Sequence, residues 1–170
     1  MSKDFTAASL LSQPHRRHNA LSDEWLLVSA ERTSRPWLGR EEAPPPRDMP
    51  TYDPSCYLCP GNVRANGERN PQYDSTFVFT NDFAALQPDS PVASYRERLL
   101  RAESELGTCE VICFSPRHDL SISRMSATQA RSVVDLWAAR TASLGQRFEW
   151  VQVFENRGSA MGASNPHPHG

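Results

Sequence analysis

The chain has 170 residues, with 18 Lys and Arg against 20 Asp and Glu and a formal net charge of −2. That length suits one domain with a real core, and the near-neutral balance gives a nucleic-acid backbone nothing to bind. No run of about 18 apolar residues occurs, so no membrane span is expected, and the opening MSKDFTAASLLSQPHRRHN lacks a signal-peptide core; the expected address is cytoplasmic.

In chain order, PHRRHN (residues 14–19) reads as a solvated basic arm. EWLLVSA (24–30) is a short apolar strand, followed by the basic turn ERTSRPWLG. Residues 41–55, EEAPPPRDMPTYDPS, hold several of the 14 prolines and predict an extended connector. The pair Cys56-Tyr-Leu-Cys59 comes next, and then NGERNPQ, dense in turn formers. STFVFTND (75–82) is aromatic and β-branched and predicts a strand ending at Asn81-Asp82. TCEVICFS (108–115) alternates, with Cys109, Val111 and Cys113 on one face and Ile112 and Phe114 on the other, as in a buried or half-buried strand.

The spacing then predicts a long helix. Ser126 with Gln129 forms a capping box, Ala130, Val133, Val134, Trp137, Ala138, Thr141 and Leu144 recur at helical spacing, and Gly145 supplies the stop. EWVQVFEN (149–156) reads as a last strand leading through the glycine-containing loop RGSAMGASN into the terminal His167-Pro-His169-Gly. This order implies an α+β fold, an antiparallel sheet with the helix on one face.

Two cysteines at C-x-x-C spacing can grip one metal ion from a tight turn, and zinc completes its tetrahedron with further Cys or His. A thioredoxin-like redox pair is disfavoured because no helix opens at Cys56. His118, just past a strand end, and His167 are candidate partners; His15 and His18 are alternatives, and Cys109 and Cys113 read as core. A strand turns residues i and i+2 to one face, so His167 and His169 can serve one site, although the same string also suits a proline-punctuated tail or the stub of an affinity tag. If His167 binds metal, a neutral His169 beside it can attack phosphorus, with Gly158, Gly162 and Ser164 near phosphate oxygens and Arg32 and Arg35 supplying positive charge.

Four long strings carry more than spacing: PHRRHNALSDEWLLVSAERTSRPWLG, CYLCPGNVRANGERNPQYDSTFVFTNDFAALQPD, CEVICFSPRHDL and WVQVFENRGSAMGASNPHPHG. Together they resemble the galactose-1-phosphate uridylyltransferase family, a branch of the histidine-triad superfamily, from about residue 14 onward and in the family's order. The resemblance implies a histidine-triad-like half-barrel sheet with a long packed helix, stapled by one zinc ion per chain. It implies ping-pong transfer of UMP from UDP-glucose through a uridylyl-histidine to galactose 1-phosphate, giving UDP-galactose and glucose 1-phosphate. His169 matches the nucleophile, and Cys56, Cys59, His118 and His167 match the zinc ligands. Arg32, Arg35, Ala65, Asn81, Asp82, Asn156, Gly162 and Ser164 match nucleotide or phosphate contacts.

Ala163 stands where many members have cysteine, at a position with no assigned chemistry. The family motif continues past Gly170 with a phosphate-binding glutamine and a second half-domain, which supplies hexose contacts and, in some members, a second metal. Residues 1–170 are thus expected to be the N-terminal half, with little turnover alone. The family also implies a homodimer acting on UDP-hexoses and hexose 1-phosphates. Two alternatives are a histidine-triad nucleotide hydrolase or phosphorylase and an inactive zinc-binding fragment.

Overall fold

The computed structural model describes residues 7–30, 32, 49–158, 161–163 and 165–170. Arg35, Ser164 and the proline run at 44–46 lie outside the described residues. The chain forms two compact units, one of residues 1–36 with 83–110 and one of residues 37–82 with 111–170.

The first unit is built on a four-stranded antiparallel sheet. Its strands are β1 (His15–Asn19), β2 (Glu24–Val28), β4 (Ser94–Glu97) and β5 (Leu100–Ser104), in the order β2-β1-β5-β4. The polar string HRRHN is therefore a central strand and not a solvated arm. It pairs with β2 from His15↔Val28 to Asn19↔Glu24 and with β5 from His15↔Ser104 to His18↔Arg101. Ladder bonds on both sides satisfy its backbone, and His15 is fully buried, with its Nδ1 donating to the Gln13 carbonyl at 2.6 Å and its Nε2 accepting from Arg17 at 2.9 Å. His15 and His18 consequently belong to this sheet and not to a metal group. The helix α1 (Ala7–Leu11) lies against β4 and β5, burying Leu10.

The second unit carries β3 (Phe77–Thr80) beside β6 (Glu110–Cys113) and the long helix α2 (Ala127–Leu144). Alternation along β6 divides its side chains as the sequence predicts. Val111 and Cys113 pack with Cys56, Leu58, Cys59, Tyr73, Phe77 and Phe79. Ile112 and Phe114 pack with Val78 and with Val133, Leu136 and Trp137 of α2. The two-stranded sheet thus has the helix on one face and the cysteine turn on the other. Phe114 meets Trp137 edge-to-face at 5.7 Å, a favoured aromatic geometry.

The capping box at Ser126 forms in full, with the Ser126 hydroxyl accepting from the Gln129 N–H and the Gln129 side chain accepting from the Ser126 N–H. Gly145 ends the helix in right-handed rather than left-handed geometry. The packed stripe is narrower than the periodicity implies: Val133 is buried, whereas Val134 is exposed. No helix among the described residues is long and apolar enough to cross a membrane.

The expected strand at 149–156 does not form. A strand needs a partner for its N–H and C=O groups, and these residues sit in no ladder, with Trp150, Val153 and Phe154 exposed. The terminal segment takes the place beside β6 instead. Ile112 and Gly170 exchange two backbone hydrogen bonds, at 2.9 and 3.0 Å, and the Phe114 N–H donates to the Pro168 carbonyl at 3.2 Å. Pro168 has no N–H to return the second bond of its pair, so the pairing is one bridge, Cys113↔His169, and not an extended ladder. Gly170 is required by close approach: a Cβ there would lie 2.7 Å from the Phe154 carbonyl oxygen and 2.9 Å from the Phe114 ring.

Candidate metal centre

The tight turn predicted for the cysteine pair is present. The Cys59 N–H donates to the Cys56 carbonyl at 3.2 Å, and the Leu58 N–H donates to Cys56 Sγ at 3.3 Å, a contact suited to a sulfur bearing negative charge. Asn62 and Asn70 hold the turn from behind. Asn62 Nδ2 donates to the carbonyls of Asp53 and Cys56, and Asn70 Nδ2 to those of Tyr57 and Cys59.

His118 and His167 arrive from different segments. His118 follows β6, and its N–H is fixed by the Thr51 carbonyl at 2.9 Å. His167 is fully buried and held at three points. Its N–H donates to Asn165 Oδ1 at 2.8 Å, its Nε2–H donates to the Ser115 carbonyl at 2.8 Å, and its Nδ1 lies 3.5 Å from Cys59 Sγ and 3.9 Å from Cys56 Sγ. A proton on Nε2 leaves the Nδ1 lone pair directed at the thiols, the tautomer a metal ligand needs. His118 Nδ1 lies 3.6 Å from Cys59 Sγ, and the two imidazoles meet nearly at right angles.

The four donor atoms of Cys56, Cys59, His118 and His167 all lie within 4.8 Å of one another, and all four residues are buried. In a tetrahedral site with metal–sulfur bonds of about 2.3 Å and metal–nitrogen bonds of 2.0–2.1 Å, sulfur and nitrogen stand about 3.6 Å apart. The spacings of 3.5, 3.6 and 3.9 Å match, so this group can hold one metal ion.

The electrostatics agree. Burial pushes the Cys59 thiol up to about 12 and the Cys113 thiol up to about 12. Burial also drives His167 down to about 4 against the opposing Ser115 hydrogen bond, and it lowers His118 despite the nearby Asp53 and Asp119. Neutral imidazoles and buried thiols drawn together form the donor set that a divalent ion would complete.

Asn165 is a residue that spacing does not reveal: its Nδ2 donates to Cys56 Sγ at 3.5 Å while its Oδ1 takes the His167 N–H. Cys113, predicted as core, is fully buried beside the cysteine turn, and Cys109 is half-buried.

His169 is half-buried two residues beyond the last metal-group residue, with its Nδ1 donating to the His167 carbonyl at 2.7 Å. A carbonyl can only accept, so the proton sits on Nδ1 and the lone pair on Nε2. Asp82 is drawn into an ion pair with Arg64, 3.4 Å away, and Ala65 is the exposed residue that follows Arg64. Asn81 is half-buried; Asn156 and Gly162 are exposed, Gly162 at φ 74°. Arg32 is exposed and belongs to the first unit.

Comparison with known proteins bears on this arrangement. A family model described as galactose-1-phosphate uridyl transferase, N-terminal domain, matches residues 3–170. The galactose-1-phosphate uridylyltransferase of Rattus norvegicus is 49% identical over 169 residues, covering 98% of this chain and 45% of its own. That of Saccharomyces cerevisiae is 47% identical over 174 residues, covering 94% and 48%. The chain spans about half the length of the curated relatives it matches. Among solved structures, a uridylyltransferase mutant superposes with a TM-score of 0.64 at 19% identity, over 91% of this chain and 43% of the other. A second uridylyltransferase gives 0.57 at 21% identity, over 91% and 43%. These two likenesses bear on the fold alone.

Proposed function

The chain belongs to the galactose-1-phosphate uridyl transferase family, as its N-terminal domain, and from that premise we propose that it is the uridylyl-accepting part of a UDP-glucose–hexose-1-phosphate uridylyltransferase. The observation that carries the chemistry is the hydrogen bond from His169 Nδ1 to the His167 carbonyl. It fixes the tautomer in which Nε2 bears the lone pair.

In the first half-reaction Nε2 of His169 attacks the α-phosphorus of UDP-glucose. A P–N bond forms, the bond from the α-phosphorus to the bridging oxygen breaks, and glucose 1-phosphate leaves with that electron pair. In the second, a phosphate oxygen of galactose 1-phosphate attacks the same phosphorus, UDP-galactose departs, and the electron pair returns to Nε2. The proton stays on Nδ1, donated to the His167 carbonyl throughout, so the imidazole acts as nucleophile and leaving group without itself changing tautomer.

The ion at Cys56, Cys59, His118 and His167 is proposed to be zinc. Two thiolates and two imidazoles suit it, and four protein ligands leave no open position, as in structural sites. Such an ion ties the cysteine turn to His118 and the terminal segment. Arg32, Arg35, Ala65, Asn81, Asp82, Asn156, Gly162 and Ser164 are proposed to contact the nucleotide and its phosphates, and hexose recognition is assigned to the part of the relatives' length outside this chain.

Exposure of the full-length protein to UDP-glucose, followed by intact-mass measurement, tests the reading. A uridylyl adduct should form on the native protein and be absent from His169→Ala, which should keep its metal. An adduct on His169→Ala would overturn the assignment.

A further inference from the structure

Arg64 is a buried cation outside the metal group. Its side chain is 8% exposed and lies over the Phe79 ring, with the guanidinium carbon 4.4 Å from the centroid. Its Nε faces Oδ1 of Asp82, itself 7% exposed, at 3.4 Å, and its terminal nitrogen reaches the exposed Glu68. Neither Arg64 Nε nor Asp82 Oδ1 has a hydrogen-bond partner among the described residues. Two opposite charges are thus buried together short of a full hydrogen bond, so their attraction offsets the cost of desolvating them only in part.

Those segments are the hairpin turn at 64–68 and the end of β3. The Gly67 N–H donates to the Arg64 carbonyl at 3.0 Å and the Arg64 N–H to the Glu68 carbonyl at 2.7 Å, with Gly67 in the left-handed region at φ 89°. This is a three-residue loop that needs glycine at that position. Burial raises the Asp82 carboxyl, while the Arg64 guanidinium and the Asn66 backbone pull it back, so turn and strand end are linked by charge as well as by packing.

We propose that Arg64 is a positioning residue for the nucleotide: by pairing with Asp82 across the Phe79 ring it holds the Ala65 turn at a fixed distance from Asn81 and Asp82, and that spacing sets the fit of the nucleoside. This inference rests on the proposed function, because it takes Ala65, Asn81 and Asp82 as nucleotide contacts. Lysine cannot substitute, since it lacks both the plane that lies over Phe79 and the fork that meets two carboxylates.

The test is half-reaction kinetics of the full-length protein with Arg64→Lys, Arg64→Met, Asp82→Asn and the double variant Arg64→Met with Asp82→Asn, each with its zinc content measured. Expected for Arg64→Lys is a fall of about tenfold in kcat/KM for adduct formation from UDP-glucose, carried by KM, with zinc retained. Discharge of the preformed adduct by galactose 1-phosphate should be unchanged. Arg64→Met should fall further, and its loss should not add to that of Asp82→Asn.

A purely structural role would lower both half-reactions together and would refute the inference. Unchanged kcat/KM for UDP-glucose in a zinc-loaded variant, or additive losses, would do the same. If Arg64→Met fails to fold, Arg64→Lys decides alone. In any of these cases an adduct on the native protein leaves the proposed function intact, whereas its absence removes both.

Discussion

Raising the pH from about 6 to about 8 should tighten metal binding at the Cys56, Cys59, His118 and His167 group by at least about 100-fold. The magnitude comes from a proton count. In the metal-free protein burial pushes the Cys59 thiol up to about 12, so throughout this window it carries its proton. Only the thiolate binds metal, so the proton must leave, and each proton displaced makes the affinity rise about tenfold per pH unit. His167 displaces none, because burial holds it at about 4, already neutral across the window. The same depressed value sets the behaviour of the metal-free fold on the acid side. The native state binds fewer protons at His167 than the unfolded chain does between pH 6.5 and about 4, so stability is full above 6.5 and falls as the pH drops through that range. The gap corresponds to about 3 kcal/mol. Calorimetric zinc titrations at neutral pH in two buffers of different ionisation enthalpy count the protons released, and chelator competition at three pH values gives the slope. Release of less than one proton, or an affinity independent of pH, would refute the reasoning.

Asn165→Ala removes the amide that joins Cys56 Sγ to the His167 N–H while leaving all four ligands in place. Zinc affinity should fall by roughly 10- to 100-fold in chelator competition, as is common when a group supporting a ligand is lost. Ser126→Ala breaks both halves of the α2 capping box and should cost about 1 kcal/mol in urea unfolding, with zinc content unchanged.

Where local pattern decides structure, the sequence reads well. β2, β3 and β6 lie inside the apolar strings that predict them, the two faces of β6 separate as alternation requires, and α2 begins at its capping box. Where partners remote in sequence decide, it reads poorly. HRRHN is polar throughout yet becomes a central strand, because β2 and β5 bond it from both sides. β4 and β5, SYRE and LRAES, are too charged to announce themselves. Residues 149–156 have strand composition, but no partner pairs with them, and the terminal segment takes the position beside β6. In the metal group the C-x-x-C pair is visible by spacing, whereas His118 and His167 join it across 59 and 108 residues, so the residues alone offer them only as candidates beside His15 and His18 and the family resemblance assigns them. Arg64 and Asn165 leave no local signal, since their roles are contacts with Asp82 and with Cys56.

The two histidines at the end of the chain acquire different roles from a common constraint. His167 has both ring nitrogens and its N–H engaged, so its backbone is fixed by the cysteine turn, Ser115 and Asn165 together. His169 then receives its orientation from the one group of His167 still available, the carbonyl oxygen. On either side of His169, the Pro168 carbonyl is bonded to the Phe114 N–H and Gly170 to Ile112, so the backbone that carries the imidazole cannot swing without breaking those bonds. The prolines at 166 and 168 restrict φ and lower the entropy lost on ordering the segment. On the proposed function, the metal therefore acts on His169 through backbone geometry and not through charge. Losing the ion should first increase the disorder of the nucleophile and only secondarily alter its basicity.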